Sequence, residues 1–330
     1  MLPRMTRRAF IGLSIGALLD IPRQGVMAAA VAPQPVTQGC RTPQVVSDWI
    51  RIVEYPKHHL NDFCLFRDQQ RIWHAIGIMG TGTWSSETSL FHSTGPSLHE
   101  RFENRPALFQ AMPRWVRGGR QSANQAPQKH APFVLFHDGL YHLFYRRPNG
   151  TILVVRSSDP FHWPDEVELV FEERDARDIC ITKISGLFHM YYCQAAVVDG
   201  VLRSCDLLRT SKDLRKWSAA TVVYADTSRE SSHSTLESPF VVARPEGFYL
   251  FVRNQLLEEE TVTTVSFSED ARRFPSGVQP WFATFKHVHA PEIVQSGDRY
   301  TIARVSGARH ASREAPPVGG WVEVAELQFR

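Results

Sequence analysis

The chain has 330 residues, of which 43% are hydrophobic, 11% aromatic and 22% charged, enough apolar material for one or two substantial cores and too much for a disordered chain. Its formal charge of +3 is concentrated at the start: Arg4, Arg7, Arg8 and Arg23 face only Asp20 within residues 1–30, and the remainder is neutral. A neutral body argues against nucleic-acid binding, which depends on neutralising phosphates, and leaves at most a local basic groove.

The first element is a segment of export type. Thr6-Arg7-Arg8-Ala9-Phe10 places two arginines before an apolar run from Phe10 to Leu19, and small residues follow at Ala28, Ala29 and Ala30. A charged region, a hydrophobic region and a cleavage-like site in that order predict a cleaved signal over residues 1–30, of twin-arginine type. The alternatives are an uncleaved anchor or an ordinary first helix. The apolar run is too short to span a bilayer comfortably, so the mature chain is expected in the periplasm or secreted, off the membrane. Residues 31–44 read as a linker. Cys40 is not expected to be lipidated, because Thr37 stands where a leucine would be wanted. The five cysteines form no CxxC pair, so zinc is not indicated. Cys64 and Cys180 lie in apolar runs and are expected to be buried, and a Cys193–Cys205 bridge is left open.

From residue 45 to 330 the chain repeats one unit. A glycine turn is followed by an aromatic strand in Asp138-Gly139-Leu140-Tyr141, in Ser185-Gly186-Leu187-Phe188 and in Glu246-Gly247-Phe248-Tyr249, with a weaker copy at Gly297–Ile302 and a degenerate one at Asp68–Ile78. Apolar strands precede these turns at Phe63–Phe66, Phe133–Phe136, Ile179–Ile184, Phe240–Ala243 and Ile293–Gln295, so each unit opens with a hairpin. Third strands lead to aromatic plugs at Trp163, Trp217 and Phe274. Gly139, Gly186, Gly247 and Gly297 are 47, 61 and 50 residues apart. Five multi-strand units at a period near 50 predict an all-β fold, a five-bladed β-propeller, closed by pairing Trp49–Glu54 with Trp321–Phe329. A β-sandwich is the alternative. Residues 95–129 read as a long loop, whose Arg114, Arg117 and Arg120 either meet an acidic sugar or are solvated.

The start of each inner strand carries a polar group: Asp62, His130, Asp178, Glu237, and His289 with Glu292. In a propeller these starts converge at one end of the channel. Charges beside apolar strands are costly without partners or a task, and several carboxylates facing one pocket push some pKa values up. Glycosidic hydrolysis needs a carboxylic acid to protonate the leaving oxygen and a carboxylate to attack or activate water.

These motifs resemble glycoside hydrolase families 43, 32 and 68, the five-bladed arabinanase, xylosidase, invertase and levansucrase relatives. Asn61-Asp62-Phe63 is similar to their Asn-Asp-Pro, Arg177-Asp178-Ile179 to their Arg-Asp-Pro, and Glu237-Ser238-Pro239 to the Glu-Gly-Pro segment of the general acid. The resemblance implies Asp62 as base or nucleophile, Glu237 as general acid, and Asp178, positioned by Arg177, as stabiliser of the transition state and of the acid's pKa. The substrate is then an oligo- or polysaccharide with a furanoside or related non-reducing-end sugar. Asn61, Trp84, His130, Arg177, His233, His289 and Glu292 are the candidate substrate-binding residues, Trp84 as a stacking platform or a blade plug. No cofactor is required; a structural calcium or other ion in the central channel is compatible, and in relatives a fifth-blade histidine can help hold one, which makes His289 the candidate. A glycosyl- or fructosyl-transferase on the same site and a non-catalytic carbohydrate-binding propeller are the competing functions.

Overall fold

The computed structural model describes residues 39–81, 86–109, 114–117, 128–254, 262–277, 281–306 and 319–330. The export segment and Trp84 lie outside them. The strands gather into five antiparallel blades. Blade 1 is β3 (His59–Arg67), β4 (Trp73–Gly80), β5 (Ser89–Gly95) and β6 (Glu103–Leu108). Blade 2 is β8 (His130–His137), β9 (Leu140–Arg147), β10 (Thr151–Ser157) and β11 (Glu166–Glu172), with β7 (Arg114–Arg117) added in parallel to β11. Blade 3 is β12 (Arg177–Ile184), β13 (Leu187–Val198), β14 (Val201–Ser211) and β15 (Thr221–Asp226). Blade 4 is β16 (Leu236–Arg244), β17 (Gly247–Asn254), β18 (Val262–Ser268) and β19 (Ala283–Lys286). Blade 5 is β20 (Glu292–Ser296), β21 (Arg299–Ser306) and β22 (Gly320–Phe329), and its outer edge comes from the other end of the chain. There β2 (Ile50–Tyr55) and β1 (Pro43–Val45) both pair with β22, which closes the ring as expected. The propeller therefore starts at Pro43, inside the stretch read as linker.

The hairpin turns follow from their sequences. Asp138-Gly139 and Ser185-Gly186 both hold positive φ at both positions (52° and 76°, 48° and 83°), the type I′ pattern that matches strand twist and that glycine tolerates at its second position. The expected long loop at 95–129 contains two strands, β6 and β7. Glu103-Asn104-Arg105-Pro106-Ala107-Leu108 has one buried residue and a proline, as suits an outer edge strand, and gives little alternation to read.

The core consists of five apolar clusters, one at each interface between consecutive blades. Along β9, Tyr141, Leu143 and Tyr145 face blade 1 while Phe144 faces blade 3. Along β17, Leu250 and Val252 face blade 3 while Tyr249 and Phe251 face blade 5. Both faces of these strands are covered, so they read as continuous aromatic and aliphatic runs; a sandwich would bury one face of each sheet. Trp163, Trp217 and Phe274 pack into these interfaces, consistent with plugs. Cys64 and Cys180 are buried as expected. All five cysteines are free. Cys193 points into the interface with blade 4 and Cys205 into that with blade 2, so the strand pleat itself forbids the bridge left open by the sequence.

Candidate active site

The inner strands β3, β8, β12, β16 and β20 surround the axis, and each begins with the same distortion. The ladder shifts register between Asn61 and Phe63, His130 and Phe133, Arg177 and Cys180, and Glu237 and Phe240. In blade 5, Val305 N–H donates to the His289 carbonyl at the matching rung. The residue after each rung position is left-handed at Ala131 (φ 45°), Asp178 (58°), Ser238 (49°) and Ala290 (51°). A non-glycine residue held there costs roughly 1–2 kcal/mol, and such strain in bulges gathers where side chains are re-aimed at functional sites.

This repeat sorts the sequence candidates into three levels, where a single shared position had been expected. Asn61, His130, Arg177, Glu237 and His289 occupy the rung. Asp62 and Asp178 stand one residue later, level with Ala131, Ser238 and Ala290. Glu292 stands three residues after its rung, level with Cys64 and Cys180, and so lies deeper in the channel than the position at which it was expected. There it lines a narrow continuation below the acids, with Asp62, Asp178 and Ser238 at its mouth. Burial drives its carboxyl well above the usual range.

Asp62, Asp178 and Glu237 come from three blades and line one cavity of about 240 Å³ with His130, Arg146, Arg177, His233 and Ser234. Ser238 ties the two aspartates together: its N–H donates to Asp178 Oδ2 and its Oγ to Asp62 Oδ1, both at 3.2 Å. Arg177 joins the third acid. Its Nε is 3.4 Å from Asp178 Oδ2 and its Nη2 3.6 Å from Glu237 Oε1, while Arg253 Nη1 pairs with Glu237 Oε2. Arg177 also braces blade 3 to blade 4, donating to the Ser234 and Leu236 carbonyls at 2.8 and 3.1 Å, while Asp175 accepts from Arg177 and from Ser234 N–H. That brace places His233 and Ser234 at the cavity.

Ionisation divides the acids. Burial, then Glu237 and Glu87, push Asp62 up to about 6. Burial and the adjacent Asp62 push Asp178 up to about 7. Burial also pushes Glu237 up, but Arg253, His289 and Arg177 outweigh it and hold this carboxyl below its usual range. The site therefore holds a proton more readily on Asp62 and Asp178 than on Glu237, the expected general acid.

Asn61 and His289 are engaged with each other behind Asp62, His289 Nε2 lying 2.7 Å from Asn61 Oδ1 and 3.4 Å from Asp62 Oδ1. Among the described residues no group of three or more His, Cys, Asp or Glu side chains is placed to hold a metal ion.

Glu87, His59, Arg146, Arg253 and Ser238 were not singled out from the sequence. Glu87 is fully buried between His59 Nε2 at 2.8 Å and His130 Nε2 at 3.0 Å. Its segment carries no repeat signal. Arg146 and Arg253 had one: they stand directly across the ladder from His130 and Glu237, and aligning the hairpins would have found them.

Ser238→Gly tests the bridge. Glycine suits φ 49° and keeps the N–H to Asp178, but the hydroxyl that stabilises ionised Asp62 is lost. Asp62 should titrate up to about one unit higher, read as an alkaline displacement of a rate or NMR titration curve without loss of thermal stability. An unshifted curve would remove Ser238 from the site.

No family profile matches the chain, and no curated protein matches its sequence. Solved structures do match. A thermostable family-43 glycoside hydrolase aligns with a TM-score of 0.58 at 13% identity over 83% of this chain and 91% of its own. The RS223 β-xylosidase gives 0.58 at 12%, over 83% and 94%. The family-43 endo-arabinanase of Bacillus licheniformis gives 0.54 at 13%, over 84% and 96%. The chain thus has the five-bladed propeller of family-43 glycoside hydrolases, and its three acids open on the propeller axis.

Proposed function

We propose that this chain is an exported glycoside hydrolase that cleaves a terminal sugar from an oligo- or polysaccharide. The observation that carries the reading is the convergence of Asp62, Asp178 and Glu237, from three blades, on one cavity, with two of the acids raised and one lowered. Acid–base chemistry at a glycosidic bond requires a carboxylic acid and a carboxylate on one cavity, and the free site favours the reverse of the productive assignment. The solved proteins that share the fold are named as arabinanases and xylosidases, which supports a saccharide substrate. The Arg7-Arg8 pair and the apolar run after it support export to the periplasm or beyond.

In this reading Asp62 activates water or attacks the anomeric carbon, and Glu237 protonates the leaving oxygen. Arg177 and Ser238 position the acids, and Asp178, whose pKa Asp62 helps to raise, stabilises the transition state. Productive enzyme needs Asp62 ionised and Glu237 protonated. Because Asp62 titrates at about 6 and Glu237 below its ordinary value, that form is a minority, largest between the two pKa values. Turnover of a panel of nitrophenyl glycosides and oligosaccharides should therefore peak on the acid side of about pH 6. A panel with no substrate turned over at any pH would end the proposal.

A further inference from the structure

Blades 2 and 4 carry an arginine on the same rung of their second strand, but the two are not used alike. Arg253 lies opposite Glu237, which takes its charge. Arg146 lies opposite His130, an imidazole. Glu87 approaches His130 Nε2 at 3.0 Å, so the other ring nitrogen, Nδ1, is turned to Arg146 Nη1 at 3.4 Å and offers a lone pair in place of an anion. Arg146 Nε donates to the Ala176 carbonyl at 3.1 Å, which anchors the side chain to the start of blade 3. Among the described residues no carboxylate forms an ion pair with Arg146. The cavity acids have other partners: Asp62 and Asp178 both accept from Ser238, Asp178 also lies 3.4 Å from Arg177 Nε, and Glu237 pairs with Arg253 and Arg177.

Arg146 nevertheless lines the cavity, beside Arg177 and with His233 at the rim. A partly buried guanidinium without a protein anion is costly unless the ligand supplies one. Its planar fork accepts a carboxylate through two parallel hydrogen bonds, whereas a neutral sugar returns hydroxyl contacts without the charge. Burial also pulls Arg146 below its usual pKa, with the nearby acids only partly offsetting this, as befits a cation short of a partner.

We propose that Arg146 forms a carboxylate subsite and that the sugar held in this cavity is a uronic acid. The assignment rests on the hydrolase reading for the cavity's purpose, but it is a statement about binding and is tested as one. Wild-type protein is titrated with D-glucuronate and D-galacturonate and, as neutral counterparts, D-glucose and D-galactose, by calorimetry or NMR. At least one uronate should bind about tenfold or more tightly than its neutral partner, the difference that a charge-assisted fork contributes. Arg146→Gln should bring that uronate's affinity down to the level of the neutral sugar. Uronates that bind wild type no better than neutral sugars overturn the proposal even if the variant fails to fold, and a uronate preference that survives in a folded Arg146→Gln protein overturns it as well. Selective uronate binding with no glycoside turned over removes the hydrolase reading and keeps this one. Turnover of neutral glycosides without uronate selectivity does the reverse.

Discussion

Asp62→Asn should lower turnover by about 10²–10⁴-fold and at the same time make the protein more stable above about pH 6. The two effects share a cause. Asp62 titrates in the fold at about 6 because it is buried beside Glu237 and Glu87. In the unfolded chain it titrates near an ordinary aspartate. A carboxyl raised in the folded state binds its proton more tightly there, so stability falls as pH rises from about 4 to about 6 and the whole penalty is present above that. Asparagine has the shape of the neutral acid, still accepts from Ser238 Oγ, and carries no such penalty. The expected gain is of order 1–3 kcal/mol at neutral pH, measured by urea unfolding, alongside a loss of activity measured on the substrate identified from the panel. Activity that survives the substitution would remove Asp62 from the chemistry. Asp62 is a better test than Glu237, because Glu237→Gln would leave Arg253 and Arg177 around an uncharged amide and would perturb folding as well as chemistry.

His92 should cost the fold stability in acid. On the side of blade 1 away from the cavity acids, Asp68 Oδ2 lies 3.2 Å from His74 Nε2, and His74 Nδ1 lies 2.9 Å from His92 Nε2. Asp68 accepting from His74 leaves Nδ1 to accept from His92, an arrangement that needs His74 neutral. Burial, then His74 and Arg105, pull His92 down to about 3, with only Asp159 opposing. Burial also lowers His74, against the pull of Asp68. A histidine depressed in the fold is neutral there while its unfolded counterpart takes up a proton, so stability is complete above the unfolded value near 6.5 and is lost as pH falls below it. For His92 the loss reaches about 3 kcal/mol by about pH 4. Asp62 and Asp178 work in the opposite sense, since their raised carboxyls are more comfortable protonated, so the measurement is a comparison. Wild type and His92→Leu are unfolded in urea at about pH 7 and about pH 4. The variant should start less stable, because His74 loses its partner, and should lose less on acidification. Equal losses in the two proteins would show that His92 does not set the acid limit.

The architecture was legible because hairpins are local. A glycine turn, an aromatic strand and a plug residue are all determined within a few tens of residues, and their recurrence at Gly139, Gly186, Gly247 and Gly297 reports the blades directly. The closing pair was readable for the same reason, as two unpartnered apolar strands at opposite ends of the chain. What local pattern did not carry was lost. Strand β6 has too few buried residues to alternate, and the segment with Glu87 belongs to no repeat. The cysteines looked bridgeable because Cys193 and Cys205 are close along the chain, whereas the pleat turns them into different interfaces.

The site divides along the same line. That polar groups gather where the inner strands begin is written in Asn61-Asp62, Arg177-Asp178 and Glu237-Ser238, because strand starts are local features and propeller geometry brings them to one axis. Which acid keeps its proton is not. The charge state of Glu237 depends on Arg253 across the ladder and Arg177 from the neighbouring blade, that of Asp62 on Glu237, and the availability of Arg146 on the imidazole that faces it. Electrostatic energies inside a protein depend on distance and burial between groups that are far apart in the chain. The sequence by itself determined the ring and the three acids that meet on its axis; only the tertiary structure decided which other groups join them and how charge is shared among them.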